Sequence, residues 1–211
     1  MFSDEDRRII IGRFERLEDP VTIINFTQRL ECQFCQPTEE LLTELAALSD
    51  RIQLKIHNFV EDKELAETYR IDKIPATVIL GEKDFGVRFF GIPSGYEFSS
   101  LIDAIVDVSR KRTDLSDDTR EKLSGLNRPV HIQVFVTPTC PYCQMAVRLG
   151  HQLAIESDWI TADMVEVTEF PHLGQKYQVM AVPKIVINDR ISFEGALPED
   201  QFVAKVIEAS G

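Results

Sequence analysis

Hydrophobic positions change their period several times along the chain, and each change marks an element. Ser3 is followed by Asp4, Glu5 and Asp6, with Ile9, Ile10, Phe14 and Leu17 behind them, which predicts a capped first helix. Val21 to Phe26 is a β-branched run and predicts a buried strand. From Cys35 to Leu48, the residues Leu41, Leu42, Leu45 and Leu48 recur at helical spacing. Ile52, Leu54 and Ile56 then alternate, so a strand runs to Phe59. A short helix near Asp62 to Tyr69 precedes a hairpin, Thr77–Leu80 and Val87–Phe90, that turns through Gly81-Glu82-Lys83-Asp84. Leu101 to Val108 begins a closing helix.

The same pattern then runs again. It gives a strand at Ile132–Val136, a helix after Cys143, a strand at Met164–Val167 and a helix around Leu173–Tyr177. Short strands at Ile185–Ile187 and Ile191–Phe193 and a helix at Phe202–Ile207 complete it. Cys140, Cys143 and Pro183 each follow Cys32, Cys35 and Pro75 by 108 residues, and Pro129-Val130 follows Pro20-Val21 by 109. A period this long is a duplicated domain, since solenoid repeats run to about 20–50 residues. Lys111 to Arg128 is polar between the copies, and Ser116-Asp117-Asp118 ahead of Leu123 predicts a capped helix there. We therefore divide the chain into residues 1–114, with the first cysteine pair, and 115–211, with the second. Alternating strands and helices imply an α/β fold, each unit having a parallel sheet with an antiparallel hairpin at one edge. The short, partly helical connection predicts units that pack together rather than swing.

Composition narrows the function. The chain has 211 residues, 44% of them hydrophobic, with 13 Phe and a formal charge of −12. That charge excludes a nucleic-acid surface, which needs clustered Lys and Arg. No apolar run approaches the roughly 20 residues that span a membrane. Met1 to Arg8 lacks the pattern of a secretory signal. We expect a cytoplasmic protein, in a compartment that keeps ordinary thiols reduced.

The four cysteines are Cys32, Cys35, Cys140 and Cys143, all in C-x-x-C pairs. Such pairs serve redox chemistry or metal. Zinc ribbons space their pairs by about 15–20 residues, whereas a whole domain separates these. His57, His131, His151 and His172 read as solvated or core residues, not ligands, so we expect neither metal nor cofactor. Each pair lies where a strand ends and a helix begins. The helix N-terminus offers free N–H groups and about half a positive charge, which favours a thiolate on the first cysteine. The second, one turn on, resolves the mixed disulfide. Glu31 places a negative charge beside Cys32, whereas Cys140 follows neutral Thr139 and precedes Pro141, and Lys184 adds positive charge near Pro183. These neighbours rank Cys140 as the stronger nucleophile.

Cys32-Gln33-Phe34-Cys35, Cys140-Pro141-Tyr142-Cys143, Ile74-Pro75-Ala76-Thr77 and Val182-Pro183-Lys184 resemble the glutaredoxin-like protein disulfide oxidoreductases of thermophilic microbes, which hold two thioredoxin folds. Each proline lies 43 residues beyond its leading cysteine. The resemblance implies two tandem thioredoxin-like domains, each a mixed sheet flanked by helices. It also implies cis prolines that face the cysteine pairs, with Ile74, Pro75, Val182 and Pro183 on the substrate side, pairing with a substrate chain like an added strand. Protein disulfides and dithiols are the implied substrates, and a thioredoxin-reductase-like flavoprotein is the implied electron partner, since no dinucleotide fingerprint occurs here. Departures from single-domain relatives are plain. Glu31 and Thr139 stand where thioredoxins have Trp, and Phe26 and Val134 lie near the place of their buried acid. Gly195 is followed by Ala196-Leu197, without the Gly-Gly of glutathione-binding glutaredoxins. Two further readings are an electron relay between a flavoprotein and a peroxidase, and a peptide-binding chaperone module.

Overall fold

The computed structural model describes residues 2–211; Met1, which opens the N-terminal stretch read above, lies outside them. Helix α1 (Asp4–Phe14) starts at Ser3, whose hydroxyl accepts from the Asp6 N–H while the Asp6 carboxylate accepts from the Ser3 N–H. This capping box satisfies two donors that the helix leaves open. The first half continues as β1 (Val21–Thr27), α2 (Cys35–Ala46), β2 (Ile52–Asn58), α3 (Lys63–Thr68), β3 (Ala76–Leu80), β4 (Asp84–Phe90) and α4 (Glu97–Arg110). The second is α5 (Asp117–Ser124), β5 (Val130–Val136), α6 (Cys143–Glu156), β6 (Ile160–Glu166), α7 (Pro171–Lys176), β7 (Lys184–Ile187), β8 (Ile191–Glu194) and α8 (Glu199–Ser210). Ser116 caps α5 as expected, accepting from the Thr119 N–H. The strands β4 and β6 begin at Asp84 and Ile160, earlier than their apolar cores suggest.

Each half forms the expected mixed sheet, and the two join edge to edge into one. The described strands order as β2-β1-β3-β4-β6-β5-β7-β8, joined by parallel pairing of β4 with β6 from Val87↔Ala162 to Phe90↔Val165. The hairpin strand β4 is therefore central, not an edge. Its residues from Phe85 to Phe90 are all buried, as a strand covered on both faces requires. Strands β1, β4, β6 and β5 all run in one direction, by β1–β3–β4 antiparallel steps and β4–β6–β5 parallel steps. Both cysteine pairs follow the C-terminal ends of β1 and β5, so both emerge from the same end of the sheet.

One large core, with Leu42, Leu45, Leu101, Ile105, Val147, Leu153 and Phe202, runs under α1, α2, α4, α6 and α8 across both halves. A smaller one, with Phe26, Ala66, Phe135 and Phe170, lies under α3 and α7 on the other face. The seam is also charged. Arg148 of α6 lies 3.8 Å from Asp103, 3.6 Å from Asp107 and 2.7 Å from Asp114, and Gln152 donates to Asp107 at 3.2 Å. His151, fully buried, reaches the Arg88 carbonyl at 3.1 Å with Nε2, and burial pushes its pKa down to about 4, so it stays neutral. Among the described residues no helix is long and apolar enough to cross a membrane.

Candidate active site

Both cysteine pairs are closed as disulfides, with Cα atoms 5.4 Å apart for Cys32–Cys35 and 5.5 Å for Cys140–Cys143. Cys35 and Cys143 are the first residues of α2 and α6 and are buried, while Cys32 stays half-buried and Cys140 is 8% exposed. Neither helix has a side-chain cap or an acidic residue in its first turn, unlike α1 with Ser3 and three acids. No side chain competes for those first-turn N–H groups, which leaves them to an anion on the leading sulfur.

The Ile74–Pro75 and Val182–Pro183 bonds are cis. The Gly91 N–H donates to the Pro75 carbonyl at 2.9 Å, and the Gly195 N–H donates to that of Pro183 at 2.8 Å. Cys140 Sγ lies 3.7 Å from the Val182 carbonyl oxygen. The geometry thus brings the Cys140 sulfur to the residue before Pro183 in the second half. Glu31 is exposed and adopts φ +58° beside Cys32. Lys184, expected to add positive charge near Pro183, donates to the Gln178 carbonyl at 3.1 Å and lies 3.9 Å from Glu194. Cys140 is also the more buried of the two leading cysteines, which opposes the ranking drawn from its neighbours.

Sequence reasoning missed one acid. Glu97, the first residue of α4, is 1% exposed. One carboxylate oxygen accepts from Ser100 Oγ at 2.8 Å, and the other has no partner among the described residues. Burial pushes its pKa up to about 7. The contacts of Arg148 and Gln152 with Asp103 and Asp107 align α4 and α6 side by side in one direction, so Glu97 lies at the end of that pair where α6 begins with Cys143. The connection before it is pinned to the second cysteine loop. The Tyr96 N–H donates to the Pro138 carbonyl at 3.2 Å. Gly95 takes φ +62°, and a Cβ there would fall 2.2 Å from that same oxygen. The first half thus places a buried acid toward the end of α6 that begins with Cys143. At the other end of the connection, Glu169 accepts from the Ile92 N–H at 2.7 Å, with its pKa raised to about 7 by burial and by Glu166.

A cleft of about 790 Å³ lies away from both pairs, on the α3 and α7 face, and is lined by Arg88, His131, Asp163 and Tyr177 among others. It contains none of the expected site residues. Among the described residues no group of three or more His, Cys, Asp or Glu is placed to hold a metal.

Comparison with known proteins agrees with this geometry. A family profile described as "Thioredoxin domain" matches residues 130–208. The F subunit of alkyl hydroperoxide reductase from Xanthomonas campestris pv. phaseoli is 27% identical over 167 residues, 79% of this chain. The chain spans only about 30% of the length of the curated relatives it matches. The crystal structure of the NTD_N/C domain of alkylhydroperoxide reductase AhpF from Enterococcus faecalis superposes with TM-score 0.90 at 27% identity, covering 100% of both chains. A protein disulfide oxidoreductase from Aeropyrum pernix superposes with TM-score 0.93 at 30% identity, over 99% of this chain and 93% of that one. Two C-x-x-C pairs in thioredoxin-like halves are the equipment of a thiol–disulfide oxidoreductase, and with that near-complete match this chain belongs to the protein disulfide oxidoreductases built from two thioredoxin folds.

Proposed function

We propose that the chain catalyses thiol–disulfide exchange on proteins at two sites, with Cys32 and Cys140 attacking and Cys35 and Cys143 resolving. A leading thiolate attacks a substrate disulfide, forming a mixed disulfide and releasing one substrate sulfur, which takes up a proton. The resolving cysteine gives up its proton and displaces the second substrate sulfur, leaving the protein disulfide and a reduced substrate. Reversed, the same steps oxidise a dithiol. Ile74–Pro75 and Val182–Pro183 face the substrate, whose extended backbone pairs beside them. The observation that carries this reading is the Cys140 sulfur lying 3.7 Å from the carbonyl that precedes a cis proline. Reducing equivalents come from a thioredoxin-reductase-like flavoprotein, and the setting is the reducing cytoplasm. The two catalytic units are residues 1–114 and 115–211.

The test is reduction of insulin-type disulfides by the wild type, by Cys32→Ser/Cys35→Ser, by Cys140→Ser/Cys143→Ser and by the fourfold variant. Activity in each double variant and none in the fourfold variant is the expected result. Activity surviving in the fourfold variant overturns it. The matches to alkyl hydroperoxide reductase AhpF favour a second reading, in which the chain relays electrons from a flavoprotein to a peroxidase. Peroxide turnover in a reconstituted mixture that stops when this chain is omitted, with no insulin reduction, selects the relay.

A further inference from the structure

The rims of the two cysteine pairs differ in kind. Residues 137–147 and 177–183, around Cys140–Cys143, contain no charged side chain. The repeat-matched stretches 29–39 and 69–75, around Cys32–Cys35, contain Arg29, Glu31, Glu39, Arg70, Asp72 and Lys73. In a chain with 27% charged residues and a formal charge of −12, the second rim is a neutral island.

That island exposes large apolar groups. Tyr142 is 66% exposed, Met145 60% and Met180 89%. An open groove of about 660 Å³ runs beside Met180, lined by Pro171, Gly174, Gln175, Gln178, Val179 and Met180. The matching positions in the first half are Lys63, Ala66, Glu67, Arg70, Ile71 and Asp72, and Lys63 pairs with Glu67 at 3.6 Å across the surface. Leu30 is 79% exposed beside the first pair, but it stands between the charged Arg29 and Glu31. Met180, at the groove's rim, stands two residues along the chain from Val182, whose carbonyl lies 3.7 Å from Cys140 Sγ. Its wall is held in place, since Gln178 adopts φ +51° and its carbonyl accepts from Lys184 at 3.1 Å. A thioether this exposed contributes almost no burial to the fold. Methionine is unbranched and polarisable and repacks around apolar side chains of different shapes.

We infer that the second site selects protein substrates through an uncharged, apolar side chain seated in the groove beside Met180. This rests on the exchange reading of Cys140. The substrate class is an extended protein segment, of the kind an incompletely folded chain exposes, whose cysteine is flanked by a large apolar residue. Its backbone lies along Val182, the cysteine meets Cys140, and the neighbouring side chain enters between Val179 and Met180. The first site has charges at the matching positions and makes no such selection.

The experiment uses the full chain with Cys32→Ser/Cys35→Ser, so that only the second site reacts. Two peptide disulfides serve as probes, identical except that Leu or Gln flanks the cysteine; neither differs in charge. The expected kcat/KM ratio favours the Leu probe about tenfold, through KM. Adding Met180→Gln, which keeps length and neutrality, brings the ratio to about twofold or less, and Met180→Leu keeps it near tenfold. Equal turnover of both probes, or a ratio that Met180→Gln leaves unchanged, overturns the inference while exchange itself persists. Failure of both probes to react at all instead removes the exchange reading of Cys140, and this inference with it.

Discussion

Replacing Glu97 with Gln tests the buried acid that the first half places near the second pair. Unfolded, Glu97 loses its proton near 4.5; folded, burial holds it to about 7. Between those values the folded chain keeps a proton that the unfolded chain has lost, so stability falls as pH rises across the window. The gap of two to three pH units corresponds to about 3 kcal/mol, fully present above pH 7 and absent below pH 4.5. Gln resembles the protonated acid and carries no such cost. Glu97→Gln is therefore expected to match the wild type near pH 4 and to exceed it by about 3 kcal/mol at pH 8. His151 acts in the opposite sense: its folded pKa of about 4 lies below the ordinary 6.5, so stability is lost as pH falls from 6.5 toward 4. That loss is common to both proteins and cancels in their difference. Urea unfolding of the oxidised chain at pH 4, 6 and 8, at fixed ionic strength, measures the difference directly. A gap that stays constant with pH, or that shrinks as pH rises, refutes the reasoning.

Two other outcomes follow from named contacts. Glu31→Gln removes the charge beside Cys32, so the thiolate absorbance of a variant keeping only Cys32 should rise at lower pH, while a variant keeping only Cys140 stays put; no movement for Cys32 means that solvent screens Glu31 completely. Arg148→Ala strands the buried Asp107 carboxylate at the seam, and urea unfolding should show a loss of about 2 kcal/mol, which Asp107→Asn added to it largely restores; a loss that Asp107→Asn does not relieve would assign the effect to lost packing.

The elements and the four cysteines were legible because their signals are local. Ser3 with Asp6, the β-branched run from Val21 and the leucines of α2 each lie within one or two turns of chain. Cys32 and Pro75 are distant in sequence, but duplication repeats their spacing and makes it readable. The shared sheet was not read: Phe85, Val87 and Phe89 alternate with Gly86 and Arg88 as on a strand with one solvated face, and only Phe90 adds a large apolar side chain to the other. Glu97 was hidden more thoroughly. A Glu in a helix's first turn is ordinarily a solvated partner of the helix dipole. Here α4 packs on α6 of the other half, and Glu97 is buried. The first residue of α8, Glu199, stays partly exposed instead and accepts from Ser116 and Thr119.

The single sheet also sets the spacing of the two disulfides. Strands β1 and β5 point the same way with three strands between them. At about 4.8 Å per strand their ends lie roughly 19 Å apart. That span equals about six residues of extended polypeptide, so a client with two cysteines at that separation can be gripped at both ends by one molecule. Its second engagement is then intramolecular, governed by the effective concentration that a short tether creates rather than by the concentration of protein in solution.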